Sequence, residues 1–188
     1  MTRVPSPISA LKKLARQRPG LADVLAKRDY LPKIEDRVAA IIETTSVEDS
    51  LEDAILHKMV KLNNTEYSDL FVGDALLGNY GIKIKLGYAL GIFGRQTRRD
   101  LDTIRWIRNT FAHSGKLLSF DTKEVADSCD LLTVVDRTPN LADFKGLRRP
   151  INTPRNKFLA STALLSGALT RVHWPELFER SPESAPLD

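Results

Sequence analysis

Residues 101–114, LDTIRWIRNTFAHS, constrain the fold more tightly than any other stretch of the chain. Taken at 100° per residue, Leu101, Ile104, Ile107 and Phe111 fall within about a third of a helix circumference, wide enough for a buried face. Arg108 projects from inside the same arc, while Asn109 and His113, one turn apart, share the adjacent flank with Arg105. An arginine in an apolar seam must find an anion, a cluster of carbonyls or a partner subunit, because an unpaired buried charge costs several kcal/mol. Gly115 is placed to end the helix just after His113 and Ser114. This segment predicts a central helix and marks the first place to look for chemistry.

The flanking sequence reads as helices throughout. Residues 9–17 (SALKKLARQ) predict a short helix with Leu11 and Leu14 inward and Lys12, Lys13 and Arg16 outward, as a solvated face or as a phosphate-contacting arm. Residues 33–62 are helical by the spacing of Ile34, Val38, Ile41 and Ile42, and the period resumes at Val47, Leu51, Ala54 and Ile55. Ser46 with Asp49 reads as an N-cap, giving two helices or one long kinked one. Glu43, Glu48, Asp49, Glu52 and Asp53 then read as acids that suit a helix start and its macrodipole. Residues 63–69 read as a polar loop. Ile82–Leu86 alternate like a strand, but Leu86, Ala89, Leu90 and Phe93 continue at helix spacing, so a helix is expected over 80–92. Gly87 and Gly91, four apart, predict a close approach on one face. Asp121 with Glu124 predicts a capped helix through Val135, and Thr153-Pro154 opens a last helix limited by Pro175.

These signals predict an all-α fold, a single-domain bundle of about six or seven helices. Its expected bounds are residues 8–175, between a flexible N-terminus (1–7) and a flexible acidic tail (176–188). Of the 188 residues, 42% are hydrophobic and only 7% aromatic, which suits a globular protein and argues against a base-stacking sheet. Cys129 is the one cysteine, set among Val125, Ala126, Leu131 and Leu132. It reads as a buried structural thiol, and neither an intramolecular disulfide nor a thiolate zinc site can be built. No metal ligand set and no cofactor loop occurs, since neither G-x-x-x-x-G-K-[ST] nor G-x-G-x-x-G is present. With no signal-peptide pattern and no long apolar run, a cytoplasmic protein without a membrane association is expected.

The formal charge of +4 is modest, but its placement is not even. Arg95, Arg98, Arg99, Arg105, Arg108 and Lys116 face only Asp100 and Asp102. Arg95, Arg98, Arg99, Arg105 and Lys116 are the expected contacts for nucleic acid or for a regulatory protein partner. Arg108 can hold a phosphate bidentately and His113 can move a proton near neutral pH. Together they suit metal-free RNA cleavage, in which a 2′-hydroxyl attacks the adjacent phosphate. Positions five apart on a helix, however, point roughly 140° away from each other. A two-fold dimer in which facing helices each offer Arg and His would remove that difficulty.

Arg108, Asn109 and His113 resemble the R-x4-6-H motif of the HEPN superfamily, small helical dimers, many of which are metal-independent ribonucleases. With its flanks, the run YGIKIKLGYALGIFGRQTRRDLDTIRWIRNTFAHS resembles the core of the mannitol operon repressor (MtlR) family, over roughly residues 35–116. Gly81 and Gly87 stand where that pattern has a larger residue and alanine. The resemblance implies an all-helical bundle with a regulatory role and no helix-turn-helix reader. Two expectations follow: a bacterial regulator acting through a protein or nucleic-acid partner, probed at the basic residues, and a HEPN-type endoribonuclease. In the latter, Arg108 sits on the phosphate, His113 transfers the proton and Asn109 orients one of them. The competing structural reading has Asn109 and His113 pinning the helix end and Arg108 bonding loop carbonyls or an acid such as Asp74. His57, His173, Trp106 and Trp174 read as structural residues.

Overall fold

The apolar arc of residues 101–114 is met by packing from several sides. The computed structural model describes residues 6–18, 30–138 and 150–170, and every regular element among them is a helix. In chain order these are α1 (Pro7–Ala15), α2 (Tyr30–Leu56), α3 (Asn64–Phe71), a 3-10 turn (Leu76–Gly78), α4 (Tyr80–Ala89), α5 (Arg95–His113), α6 (Lys123–Cys129), α7 (Val134–Arg137) and α8 (Pro154–Thr170). Helix α7 is a single turn, and the other seven α-helices form one single-domain bundle. Leu101, Ile104, Ile107 and Phe111 are fully buried, as their spacing predicts. Helix α5 packs on α1, α2, α4 and α6, while α8 lies along α2. Phe111, Phe120 and Phe158 join α5 to α8 through ring centroids 5.0 and 5.1 Å apart.

Several local expectations hold. Ser6 caps α1 by accepting from the Ser9 N–H, and Leu11 and Leu14 point inward. Thus residues 6 and 7 belong to the helix, not to a loose start; residues 1–5 lie outside the described part. The Thr153 hydroxyl accepts from the Asn156 N–H at 3.1 Å and opens α8. Residues 139–149 and 171–188, with the expected helix stop at Pro175 and the expected tail, lie outside the described residues.

Other expectations are corrected. Of the expected two helices or one long one, α2 is a single helix, and only the Ser46 N-cap is overturned, its hydroxyl donating back to the Ile42 carbonyl within the helix. The polar loop expected at 63–69 is helix α3. Asn63 Oδ1 accepts from the Thr65 and Glu66 N–H groups, and Glu66 returns a bond to the Asn63 N–H, a complete capping box. The helix expected over 121–135 is two pieces. The chain turns between α6 and α7 where the Thr133 N–H and hydroxyl are drawn to Asp100.

Helix α4 settles the ambiguity at residues 80–92 in favour of a helix, ending at Ala89 before Gly91, whose φ of 67° favours glycine. Its buried face contains Lys83. Lys83 Nζ lies 3.1 Å from Glu48 and 2.6 Å from Glu52, one turn apart on α2, and the Tyr67 hydroxyl donates to Glu52 at 2.5 Å. Glu48 and Glu52 therefore sit in mid-helix as partners of a buried cation, not as acids at a helix start. Burial alone would lower the Lys83 pKa, but the two carboxylates together hold it above the ordinary lysine value. Because the folded value is raised, this stabilisation is complete below the unfolded lysine pKa and is lost as pH rises through the folded one.

Gly87 meets α2 closely: a Cβ there would lie 2.8 Å from Phe93 Cε1 and 3.0 Å from Leu51 Cδ1, both on buried side chains. Alanine at this position gains about 1 kcal/mol of helix propensity but overpacks the seam. Urea denaturation of Gly87→Ala should show a net loss of about 1–2 kcal/mol. Lys83→Met strands two carboxylates in a poorly solvated site and should cost about 3 kcal/mol at pH 7. The difference from wild type should shrink above about pH 10.5, where the wild-type lysine begins to lose its proton; a difference independent of pH would show that the ion pairs contribute nothing.

Candidate functional site

The solvent side of α5 carries most of the residues singled out from sequence. Arg95 and Arg99 are exposed. Arg98 lies with its guanidinium 4.8 Å from the centre of the Tyr88 ring. Arg105 approaches Asp102 at 3.5 Å, its guanidinium 4.5 Å from the centre of the Trp106 ring. It also fills the space over Gly81, where a Cβ would lie 3.4 Å from its Cζ. The Lys12 ammonium of α1 sits 4.4 Å from the same Trp106 ring centre. Lys116 is half-buried beyond the helix end, its N–H donating to the Ser114 hydroxyl.

The R-x4-H residues are arranged less tightly than a catalytic pair would be. Arg108 is half-buried, and its Nη1 donates to Asn109 Oδ1 at 3.0 Å. Of the anion, carbonyl cluster or partner subunit expected for it, the described residues supply a single amide oxygen. Among the described residues no carboxylate forms an ion pair with Arg108. His113 closes the helix with its ring exposed and makes no hydrogen bond among the described residues. Asn109 thus meets Arg108, whereas His113 stands one turn further along and is hydrogen-bonded to neither.

The helix end that presents His113 is firmly held. Arg37 of α2 donates to the Ser114 and Lys116 carbonyls at 2.9 and 3.0 Å, satisfying the acceptor at the C-cap and tying down the chain just beyond it. Its neighbour Asp36 accepts from the Phe120 N–H at 3.0 Å and lies 3.0 Å from Arg155 Nε, close enough for an ion pair though off the line of a hydrogen bond. Burial raises the Asp36 pKa, the Phe120 N–H and Arg155 offsetting only part of that cost.

Beside this face lies a cleft of about 810 Å³, walled by α5, the start of α1 and the turn into α7. Its walls include Ile8, Leu131, Trp106, Arg99 and Arg137. Asp100 forms part of the wall and is fully buried. It accepts from the Thr133 N–H at 2.9 Å and from Arg137 Nη2 at 2.7 Å. Burial nevertheless raises its pKa, only partly offset by these donors. Arg137 and Thr133 were not anticipated from sequence, although a signal was present: Asp100 falls between Ile107 and Phe111 on the helical wheel, in the middle of the buried arc. Tyr80 is likewise missed. Its hydroxyl is buried with no hydrogen-bond partner among the described residues, and burial raises its pKa.

The remaining candidates are quiet. Cys129 is buried and its thiol is pushed up to about 12, so it holds its proton. His57 Nδ1 lies 2.7 Å from the Asp53 carbonyl one turn back, a local contact. His173 and Trp174 lie outside the described residues. Among the described residues no group of three His, Cys, Asp or Glu side chains could hold a metal ion, and no helix is long and apolar enough to cross a membrane. Compared with protein-family models, curated proteins and solved structures, the chain matches none.

Arg137→Ala would leave Asp100 buried beside Thr133 without its cation. Thermal or urea unfolding at pH 7 should show a loss of about 3 kcal/mol. The Asp100 pKa then rises further, so stability should recover relative to wild type as pH falls toward 4 and the carboxyl takes up a proton. A loss equal at both pH values would mean that Arg137 acts through packing alone.

Proposed function

We propose that the protein is a regulator of the mannitol operon repressor type, in the cytoplasm of a bacterium, whose α5 face binds the phosphate backbone of a nucleic acid. The observation that carries this reading is the uncancelled charge on that face. Arg95, Arg98 and Arg99 have no carboxylate partner among the described residues, and Asp100 is turned inward and already paired with Arg137. That leaves Asp102 as the one acid among the basic groups of α5, 3.5 Å from Arg105. Such a surface attracts polyanions and releases their counterions on contact. The family resemblance over residues 35–116 supports the regulatory part of the reading.

A second reading, a HEPN-type endoribonuclease, is favoured by one specific observation. Arg108 is bonded to a neutral amide, so its full charge is available to a phosphate, and the His113 ring is open to solvent. In this reading Asn109 orients Arg108, and a homodimer brings the Arg108 of one protomer toward the His113 of the other. The dimer is part of the proposal, because one helix aims the two side chains about 140° apart.

Two measurements separate the readings. Binding of labelled RNA and DNA should weaken with salt, and Arg95→Gln/Arg98→Gln/Arg99→Gln should cut affinity at least about tenfold and flatten the log–log salt slope by about 2. An unchanged slope would remove this face from the interface. RNA incubated in EDTA should yield 2′,3′-cyclic phosphate ends only if the nuclease reading holds, and an equally stable His113→Ala should then abolish them. Intact RNA with folded wild type, across structured and unstructured substrates, leaves binding without cleavage.

A further inference from the structure

We propose that the cleft between α1, α5 and α7 is a binding site for a nucleoside phosphate, taken either as a free mononucleotide or as an unpaired nucleotide of a single strand. Its volume of about 810 Å³ lies in the range of small-ligand sites. The walls divide by chemistry. Ile8, Leu131 and the indole of Trp106 offer apolar surface, whereas the Gln96 amide supplies a donor and an acceptor together. Arg99 is exposed and has no acid partner among the described residues. A nucleobase has apolar faces and a donor–acceptor edge, and its phosphate needs a free guanidinium. A fatty carboxylate would leave the amide unused, and a sugar phosphate would waste the apolar walls.

The cations divide in the same way. Of the three arginines around the cleft, Arg137 is engaged by Asp100 at 2.7 Å and Arg105 lies 3.5 Å from Asp102. Arg99 is the one without an ion pair among the described residues, so the phosphate belongs on Arg99. The Lys12 ammonium now over the Trp106 ring is on an exposed side chain and can swing away when a base stacks there. The single-strand arm rests on the nucleic-acid reading of α5; the mononucleotide arm does not.

The test is calorimetric titration of the full chain with the four nucleoside 5′-monophosphates, adenosine, ribose 5-phosphate and inorganic phosphate. At least one mononucleotide should bind, and the nucleoside, sugar phosphate and phosphate should each bind about tenfold more weakly or worse. Leu131→Trp fills the cleft from a partly exposed position, and Arg99→Gln removes the phosphate contact. Each should weaken mononucleotide binding by about tenfold or more, while Lys123→Gln, an equal charge change on α6, should leave it unaltered. A single-stranded RNA of about eight nucleotides that binds more tightly than any mononucleotide, and is competed by it, identifies the strand as the source; the reverse order identifies the free nucleotide. The proposal is overturned if no mononucleotide binds, if inorganic phosphate binds equally well, or if Leu131→Trp binds like wild type. RNA binding that persists without mononucleotide binding would dismiss the cleft and keep the α5 face. Mononucleotide binding without any RNA binding would do the opposite.

Discussion

Helix α5 must bury an arc that contains a carboxylate, and much of the molecule is arranged to meet that demand. Asp100 cannot leave the core without taking Leu101, Ile104 and Ile107 with it, because all four are fixed by one helical period. The chain instead brings donors to it. The turn between α6 and α7 places the Thr133 N–H and the Arg137 guanidinium on its two oxygens. This explains why residues 121–135 do not form one helix. A straight continuation would have spent the Thr133 N–H on an intrahelical bond and left Asp100 short of a donor. The same turn forms a wall of the cleft, so a requirement of the core shapes a feature of the surface.

The Lys83 triad solves a similar problem between α2 and α4. Glu48 and Glu52 are one turn apart, so both can reach an ammonium on a facing helix, and Tyr67 from α3 extends the network. Partners of this kind tie the register of α4 to α2, because a shift of one residue on either helix would leave a charge unpaired. The close seam at Gly87 acts in the same place and the same sense, with Leu51 and Phe93 occupying the space of a side chain. Gly87 in place of the alanine of the resembling pattern is thus accounted for by its neighbours.

What could be read from the sequence was what depends on period and local chemistry. The all-helical fold, the buried face of α5, the inward leucines of α1, the Thr153 cap and the buried Cys129 all follow from residues close together in the chain. The rest depends on groups far apart. Arg37 reaches the carbonyls of Ser114 and Lys116 across more than seventy positions, and nothing near either end announces it. The α3 capping box is a different case. Asn63 and Glu66 have the required spacing, and the polar composition around them obscured a local signal that was present. An ionised side chain in an apolar arc must find partners: Arg108 is half-buried and meets only the Asn109 amide, whereas the short, fully buried Asp100 is met by Thr133 and Arg137.

The charges on α5 differ from the others in how they are held. Arg137, Lys83 and Lys123 are each paired with a carboxylate, which fixes the side chain and cancels its field. Arg98 is held against Tyr88 and Arg105 against Trp106, by aromatic rings. A ring's quadrupole attracts a cation without neutralising it. These contacts order long basic side chains, lowering the entropy that a partner would have to remove on binding, yet leave the positive potential almost intact. The formal charge of +4 therefore understates the local field. Among the described residues Arg105–Asp102 is the one carboxylate contact on the solvent side of α5, and the result is a basic surface concentrated on one helix and partly pre-arranged for an anion.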